Sequence, residues 1–131
     1  MTAITVFGHG SSVESANQAV RDFTVQLGSR GGFPLIEPSF LELGQPDLPE
    51  AVRRLVERGA TRIIVIPYFL TLGIHLKRDL PRIVAELRLI YSGIDIEITE
   101  PMDGHPALVD VLLDRAKEAM NGSGDAASAI D

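Results

Sequence analysis

Residues 63–81 read IIVIPYFLTLGIHLKRDLP, and this stretch decides the fold. It begins as a continuously apolar run, typical of a strand buried on both faces of a parallel sheet. After Gly73 comes a loop that carries His75 and two cations. Asp79 is a good helix N-cap and Pro81 fits the start of a helix, so a helix is predicted to begin there. A strand, a loop and a helix in this order form the corner where α/β proteins bind their ligands.

The same order of strand and helix occurs four times along the chain. Apolar runs predict strands over residues 4–7, 35–41, 63–70 and 94–98, each followed by a helical pattern. The first helix is predicted to end at Gly28, and the second to begin at Asp47 and end at Gly59. A turn over residues 104–106 is predicted to lead into the fourth. The apolar stripes predicted to be buried are Ala16, Ala19, Val20, Phe23 and Leu27; Leu48, Val52, Leu55 and Val56; Ile83, Val84, Leu87, Ile90 and Tyr91; and Leu108, Val109, Leu112, Leu113 and Ala116.

Repeated βα units predict an α/β fold: a single-domain three-layer sandwich with a four-stranded parallel sheet and helices on both faces. The first and third strands are apolar throughout, which favours central positions. Pro38 in the second strand and the strict alternation of the fourth favour the edges. The predicted strand order is therefore 2-1-3-4. The domain is expected to span residues 1–120, and residues 121–131, rich in Gly, Ser, Ala and Asp, are expected to form a flexible tail.

Composition narrows the class of protein. The chain has 131 residues and no cysteine, which excludes disulfides and thiolate metal sites. A formal charge of −6 argues against nucleic acid as a partner, because phosphate binding needs a basic face. The longest apolar run is interrupted by Pro67 and Gly73 and is shorter than the roughly 20 residues of a membrane span. The first residues lack the basic leader of a secretory signal, so a cytoplasmic protein without a membrane segment is predicted.

Histidines and a carboxylate follow the predicted strands at the edge where parallel strands end. His9 follows the first strand, Glu42 the second, His75 the third and His105 the fourth. A lone histidine is often structural, but no structural role requires one after three different strands. Two neutral imidazoles and a carboxylate suit a divalent first-row metal such as Fe, Co, Ni or Zn, and they leave coordination positions free. The same imidazoles can accept protons near neutral pH.

Other motifs near the first strand are weaker. The sequence FGHGS at residues 7–11 lacks the third glycine of a dinucleotide fingerprint, because position 13 is Val13. Ser11 is predicted to cap a helix rather than to act as a nucleophile, since no G-x-S-x-G elbow surrounds it. A phosphate-handling hydrolase would need an arginine before His9, and that position is Gly8. This alternative is therefore disfavoured.

Two cations, Lys77 and Arg78, lie beside the predicted helix start. Cations at a helix N-terminus oppose the macrodipole, which costs on the order of 0.3 kcal/mol. An anionic ligand at that corner would offset the cost.

Four motifs of the chain occur together in one known family: HGS at 9–11, FLE at 40–42 with PDLPEA at 46–51, VIPYFL at 65–70 with GIHLKRDLP at 73–81, and GHP at 104–106. Through these motifs the chain resembles the CbiX-type sirohydrochlorin chelatases. These are small class II chelatases that insert a divalent metal into sirohydrochlorin on the routes to cobalamin, sirohaem or F430. The resemblance covers roughly residues 3–116. The chain departs from the family at Ser12, often an arginine that contacts a substrate carboxylate, and at Ile74, often a glycine.

The resemblance implies a chelatase-like fold and roles for the residues at the sheet edge. His9 and His75 would be the catalytic and metal-handling pair, and Glu42 a further metal ligand or proton acceptor. The implied substrate-binding residues are Ser11, Tyr68, Phe69, Leu72, Ile74, Lys77 and Arg78, the cations meeting the many carboxylates of the tetrapyrrole and the apolar residues its face. His105 is a further candidate.

The resemblance also implies partners. The divalent metal (cobalt, nickel or iron) would be a substrate of a lyase-type chelatase, with no permanent cofactor. Sirohydrochlorin would be the second substrate, and the short members of the family imply a homodimer, which is also the commonest oligomer. The alternative is a tetrapyrrole or metal carrier that keeps the same residues but does not catalyse insertion.

Overall fold

The computed structural model describes residues 1–122, and residues 123–131 lie outside the described part. The predicted tail therefore falls almost wholly outside it. Four strands alternate with four helices, as the sequence predicts: β1 Thr2–Gly8, α1 Glu14–Gly31, β2 Ile36–Phe40, α2 Leu48–Glu57, β3 Arg62–Pro67, α3 Ile74–Ile90, β4 Asp95–Ile98 and α4 Ala107–Asn121. The chain divides into two compact units, Met1–Pro101 with the whole sheet, and a second beginning at Met102 with α4. A single domain over residues 1–120 stays a prediction.

The sheet is entirely parallel and has the order β2-β1-β3-β4, which confirms the predicted topology. In the register, Phe7 of β1 pairs with Ser39 of β2 and with Pro67 of β3. The three strands therefore end at one level, and the residues that follow them share one edge. This edge is where ligands bind in open α/β sheets.

Side chains of β1 point alternately to the two faces of the sheet, and each face is covered by helices. Ala3 and Phe7 belong to the larger cluster, which includes buried residues of α2 and α3. Val6 packs with Val20 of α1 and with Phe40 on the other face. The three layers predicted from the sequence are thus present within the first unit.

Helix α2 begins and ends where the sequence predicts. The Asp47 carboxylate accepts a hydrogen bond from the Glu50 amide at 2.9 Å and so caps the helix. Gly59, just past the end, has a φ of +101°, which glycine adopts without strain. The buried stripe contains Leu48, Val52 and Leu55, as predicted.

Helix α3 begins earlier than the sequence predicts. It runs over Ile74–Ile90, with Gly73 rather than Asp79 as its N-cap. Asp79 and Pro81 therefore lie inside the helix. His75, predicted to lie in a loop, belongs to the first helical turn.

The earlier start of α3 follows from burial. Leu76 and Leu80 are buried in the larger core together with Val84, so packing stabilises a turn that local sequence signals do not mark. Pro81 has no amide to donate to the carbonyl of Lys77, so the helix loses one internal hydrogen bond there. Burial of Leu76 and Leu80 before Pro81, and of Val84 after it, compensates for that loss.

Helix α1 departs from the prediction in its end and in its buried face. Gly28 lies within the helix, which continues to Gly31 and ends at Gly32, whose φ is +69°. The buried residues are Asn17, Val20 and Thr24. The buried face of α1 is therefore rotated about the helix axis relative to the predicted one. The contacts of Asn17, described below, turn the Asn17 side of the helix toward the sheet. Ala16, Ala19 and Phe23 of α1 are exposed, although the sequence predicts them to be buried. The same is true of Ile90 at the end of α3.

In the second unit, α4 forms over the predicted region but none of its residues is buried. The expected buried stripe of α4 is therefore wrong. Gly104 has a φ of +78°, consistent with the predicted turn before α4. Within residues 1–122, no helix is both long and apolar enough to cross a membrane.

Candidate functional site

The ends of β1 and β2 bring His9 and Glu42 together. The Leu41 amide donates to the Gly8 carbonyl at 3.0 Å, and the Glu42 amide donates to the His9 carbonyl at 3.1 Å. Parallel pairing thus continues one step beyond the strands. The His9 Nε2 and Glu42 Oε1 atoms lie 4.0 Å apart, and both side chains are more than half exposed. The sequence prediction that these two residues are neighbours is confirmed.

Gly10 allows the two loops to come this close. Its φ is +92°, and a Cβ built there would lie 1.6 Å from the Glu42 carbonyl oxygen. The neighbouring atom belongs to the backbone, so no side-chain rotation can relieve the overlap. Glycine is therefore required at this position both for its backbone conformation and for its lack of a side chain.

Asn17 of α1 connects the loops after β1 and β2, and the sequence analysis missed it. Its side-chain oxygen accepts from the Ser11 amide at 2.9 Å, and its nitrogen donates to the carbonyls of Ser11 at 2.9 Å and Leu43 at 2.8 Å. The residue is 1% exposed. Leu43 has a φ of +55°, unusual for a branched side chain, and Asn17 stabilises that conformation. A polar residue among apolar helical positions was the available sequence signal.

Glu14, in the first turn of α1, supports Asn17. Its carboxylate accepts a hydrogen bond from the Asn17 amide nitrogen at 3.3 Å and also contacts the Arg21 guanidinium. The Arg21 hydrogen bond, followed by the Asn17 hydrogen bond, lowers the pKa of the Glu14 carboxyl. Glu14 therefore stays ionised and remains an acceptor for Asn17.

The hydrogen bonds of His9 define which of its nitrogens is free. Its Nδ1 lies 3.1 Å from the Gly10 carbonyl oxygen. A carbonyl only accepts, so this contact favours the proton on Nδ1, and in the neutral ring the Nε2 lone pair is then beside Glu42. Metal ions bind histidine nitrogens and carboxylate oxygens at about 2.0–2.2 Å, so these two exposed side chains would have to approach to about 3.4 Å to hold one tetrahedral ion.

His75 faces the same cavity as His9. The cavity has a volume of about 300 Å³. Its lining consists of His9, Leu41, Phe69, Gly73, Ile74, His75, Leu76 and Asp79. Within residues 1–122 no three histidine, aspartate or glutamate side chains are close enough to hold a metal ion. The structure thus brings His9 to Glu42, and His9 to His75 across a cavity, but not all three to one point.

Asp79 is a second residue of the site that the sequence analysis missed, having taken it for a helix cap. It follows His75 by four positions in α3, which places both on one face of the helix. Its Oδ1 lies 3.3 Å from Arg78 Nε and 3.6 Å from Arg82 Nη2. The Arg78 Nη2 atom in turn lies 3.4 Å from His75 Nδ1. Arg78 therefore contacts both side chains.

The predicted apolar contacts divide into two groups. Phe69 and Ile74 line the cavity, and the Phe69 ring meets the His9 ring edge-on with centroids 6.5 Å apart. Ile74 is 85% exposed, which is unusual for so large an apolar side chain. Tyr68 and Leu72 are outside the lining. The ring centroids of Tyr68 and Phe23 of α1 lie 5.7 Å apart, and Leu72 packs against the core.

The remaining predicted residues have structural contacts of their own. The Ser11 hydroxyl accepts from the Val13 amide at 3.0 Å. The N-cap of α1 is Val13, without a side-chain cap, so the predicted capping role of Ser11 is wrong. Lys77 is exposed in the first turn of α3. His105 belongs to the second unit, where its Nδ1 accepts from the Ala107 amide at 3.0 Å and so stabilises the start of α4.

The fold and this edge define a small parallel α/β protein that places histidines and carboxylates around one cavity. The CbiX family profile matches residues 3–119. The chain belongs to the CbiX family, as its sequence motifs predict.

The relatives of this chain include a cobaltochelatase and a ferrochelatase. The chain is 33% identical over 124 residues to the sirohydrochlorin cobaltochelatase of Sulfolobus acidocaldarius, covering 95% of this chain and 97% of that one. It is 34% identical over 118 residues to the chloroplastic sirohydrochlorin ferrochelatase of Arabidopsis thaliana, covering 90% of this chain and 52% of that one. The chain thus spans nearly the whole archaeal relative and about half of the plant relative.

Solved structures agree on the fold. A putative cobalamin biosynthesis CbiX protein from Marinobacter aquaeolei has a TM-score of 0.82 at 26% identity, with 94% of this chain and 100% of that chain covered. The sirohydrochlorin chelatase SirB from Bacillus subtilis subspecies spizizenii, in complex with cobalt, has a TM-score of 0.83 at 32% identity. That match covers 89% of this chain and 50% of SirB.

Proposed function

We propose that this protein is a sirohydrochlorin chelatase, a lyase that inserts divalent cobalt, nickel or iron into the tetrapyrrole. The observation that carries the proposal is that His9 Nε2 lies 4.0 Å from the Glu42 carboxylate while His9 also lines a cavity shared with His75. The names of the relatives supply the substrate class. A cytoplasmic location stays a prediction from the sequence.

In this proposal the metal is a substrate that His9 and Glu42 hold for a short time. One imidazole nitrogen and one carboxylate oxygen leave most coordination positions open for water or for pyrrole nitrogens. Two protein ligands give a modest affinity, which suits a metal that must be delivered. No permanent cofactor is needed, because insertion changes neither the oxidation state of the metal nor that of the ring.

Insertion releases two protons, because the divalent metal replaces the two pyrrole N–H hydrogens. A base must therefore lie close to the centre of the macrocycle. We assign this role to His75, which faces His9 across the cavity, with His9 able to share it once its metal has left. Neutral imidazole is required for both tasks, because a protonated ring has no lone pair for a metal or for a proton.

The tetrapyrrole would lie against the apolar lining and be held by cations around it. Phe69 and Ile74 supply the face, and Lys77 and Arg78 are proposed to bind substrate carboxylates. Ser11, Tyr68 and Leu72 lie outside the cavity lining and are proposed as peripheral contacts. His105 is retained as a candidate only.

A homodimer is part of the proposal. A cavity of about 300 Å³ is at the lower end of the range of about 300–1,000 Å³ for small-molecule sites, and a tetrapyrrole needs more room. A second copy facing the first would enlarge it. Light scattering on the purified protein is expected to give twice the chain mass of 14.2 kDa, and a monomer that still turns over would contradict this part.

The test of function is a chelation assay. Sirohydrochlorin is mixed with Co(II), Ni(II) or Fe(II), with and without protein, and the change in pigment absorbance is followed. We expect acceleration with at least one metal, and a loss of about 10²-fold or more in both His9→Ala and His75→Ala. His105→Ala, measured beside them, decides whether that residue takes part.

Two outcomes would count against the proposal. Wild-type protein no faster than the metal alone would reject the enzyme in favour of a carrier that binds tetrapyrrole or metal without turnover. The incomplete three-ligand set within residues 1–122 is the observation that keeps the carrier as the second candidate. Acceleration that survives both histidine substitutions would instead reject the assignment of residues.

A further inference from the structure

Helix α4 carries an apolar stripe that has no cover in one copy of residues 1–122. None of its 15 residues is buried. Val109 is 65% exposed and Leu112 is 69% exposed. At the helical spacing of about 100° per residue, the following apolar residues fall on one side of α4: Leu108, Val109, Leu112, Leu113, Ala116 and Met120. A contiguous exposed apolar face of this kind marks a surface for binding another surface.

The opposite side of α4 indicates which kind of surface the stripe binds. It carries three carboxylates, those of Asp110, Asp114 and Glu118, and one ammonium, that of Lys117. Helices that lie on membranes have polar faces rich in Lys and Arg, so the acidic face of α4 favours a protein surface instead. Residues 123–131 contain one large apolar residue, Ile130, which is too little to cover the stripe.

The first unit has an apolar surface that fits such a helix. Helix α1 packs on β1 and β2. On the same face of the sheet, Ile66 of β3 pairs with Val6 of β1, and Ile64 points the same way two residues earlier. Both isoleucines are only half-buried. Tyr68 follows them and lies beside Phe23 of α1, which is 49% exposed. We call Ile64, Ile66, Tyr68 and Phe23 the β3 surface.

We infer that the stripe of α4 packs on the β3 surface of a second copy of this chain, so that two copies exchange their fourth helices. This inference rests on the homodimer within the proposed function and identifies its interface, but it does not depend on metal insertion. The exchange is symmetric, because each copy gives one helix and receives one. It would also complete a layer of helices on that face of each sheet.

The lengths of the relatives support a second copy as the occupant. This chain covers 52% of the plant ferrochelatase and 50% of SirB. Each of those molecules therefore has room for a second unit of this size in one chain. Two copies of the short chain reach the same size by pairing.

The first test compares two valines of similar exposure by light scattering over a dilution series. Val109→Glu places a charge in the stripe. Val25→Glu is the matched control, because Val25 is 70% exposed and lies on the other side of α1 from Phe23. Val109→Glu should raise the dimer dissociation constant about 10-fold or more, whereas Val25→Glu should leave it unchanged. Both valines are exposed in a single copy, so both variants should keep the far-UV circular dichroism of the wild type, and Leu112→Glu repeats the test at a second position.

The second test identifies the surface that α4 covers. The chain has no cysteine, so introduced cysteines react without background. In the double variant Leu112→Cys/Phe23→Cys, a short bismaleimide should link two copies, which then run as a dimer on a denaturing gel. Each single variant should give little of this product.

A wild type that stays monomeric, or equal dimer affinity in the wild type and Val109→Glu, would overturn the inference. A link within one copy would show that the stripe covers the β3 surface of its own chain, and a dimer formed by Leu112→Cys alone would show that two α4 helices pack on each other. Either result also overturns it. A dimer that depends on Val109 in a protein without chelation would refute the proposed enzyme and leave this interface supported.

Discussion

Gly10→Ala is expected to lower the free energy of unfolding by about 3–5 kcal/mol and the rate of metal insertion by about 10²-fold or more. The new Cβ would lie 1.6 Å from the carbonyl oxygen of Glu42 and 2.7 Å from its carbonyl carbon. One of the two loops must move away, and the pairing of the Glu42 amide with the His9 carbonyl is lost with it. His9 and Glu42, the two proposed metal ligands, would then no longer be in position to bind one ion.

Gly59→Ala is the matched control for Gly10→Ala. Its φ of +101° is close to the +92° of Gly10, but a Cβ there meets no atom within 4 Å. Backbone strain alone should cost about 1–2 kcal/mol, with no effect on the insertion rate because Gly59 is at the opposite end of α2 from the site. Denaturant unfolding and the chelation assay, applied to both variants, separate strain from overlap. Equal losses in the two would show that the loops approach less closely than the structure indicates.

The fold and half of the site follow from sequence patterns that have a direct physical cause. Pro38 cannot donate to a central ladder, and β3 is apolar on both faces, so the order of the sheet is determined. Because parallel strands end at one level, the residues that follow β1 and β2 must be neighbours. The pairing of His9 with Glu42 could be predicted for that reason.

The start of α3 could not be predicted, because local and tertiary signals conflict there. Asp79 and Pro81 are good helix-start residues by local rules. Burial of Leu76 and Leu80 stabilises an additional helical turn before Asp79. This burial depends on how the core packs, which the sequence alone does not show. The error mattered for the site, since it hid the spacing that puts His75 and Asp79 on one helix face.

Contacts over long sequence distances were also beyond reach from the sequence. Asn17 bonds to the carbonyl of Leu43, 26 residues away, and neither residue belongs to a motif that names the other. A polar residue among apolar helical positions marks Asn17 as unusual, but it does not show which groups Asn17 contacts. Only the packing of α1 against the sheet shows that it lies between the two loops and is 1% exposed.

Asn17→Leu is expected to lower the free energy of unfolding by about 3–4 kcal/mol, chiefly by leaving three backbone groups without partners. These are the amide and carbonyl of Ser11 and the carbonyl of Leu43. Leucine has a similar size, so a cavity contributes little. Without the bond to its carbonyl, Leu43 is free to leave its positive φ, and Glu42 beside it should move with it. The insertion rate should therefore fall as well.

Thr24→Val is the control for Asn17→Leu, because Thr24 is buried on the same helix and its hydroxyl donates only to the Val20 carbonyl of that helix. It should cost about 1 kcal/mol and leave insertion unchanged. Hydrogen exchange adds a local measure: the Ser11 amide, which Asn17 protects, should exchange faster in Asn17→Leu but not in Thr24→Val. If both variants lose the same stability and keep the Ser11 amide protected, Asn17 does not hold the two loops together. If instead the Ser11 amide alone loses protection, the positions of His9 and Glu42 depend on a side chain of α1 that touches neither of them.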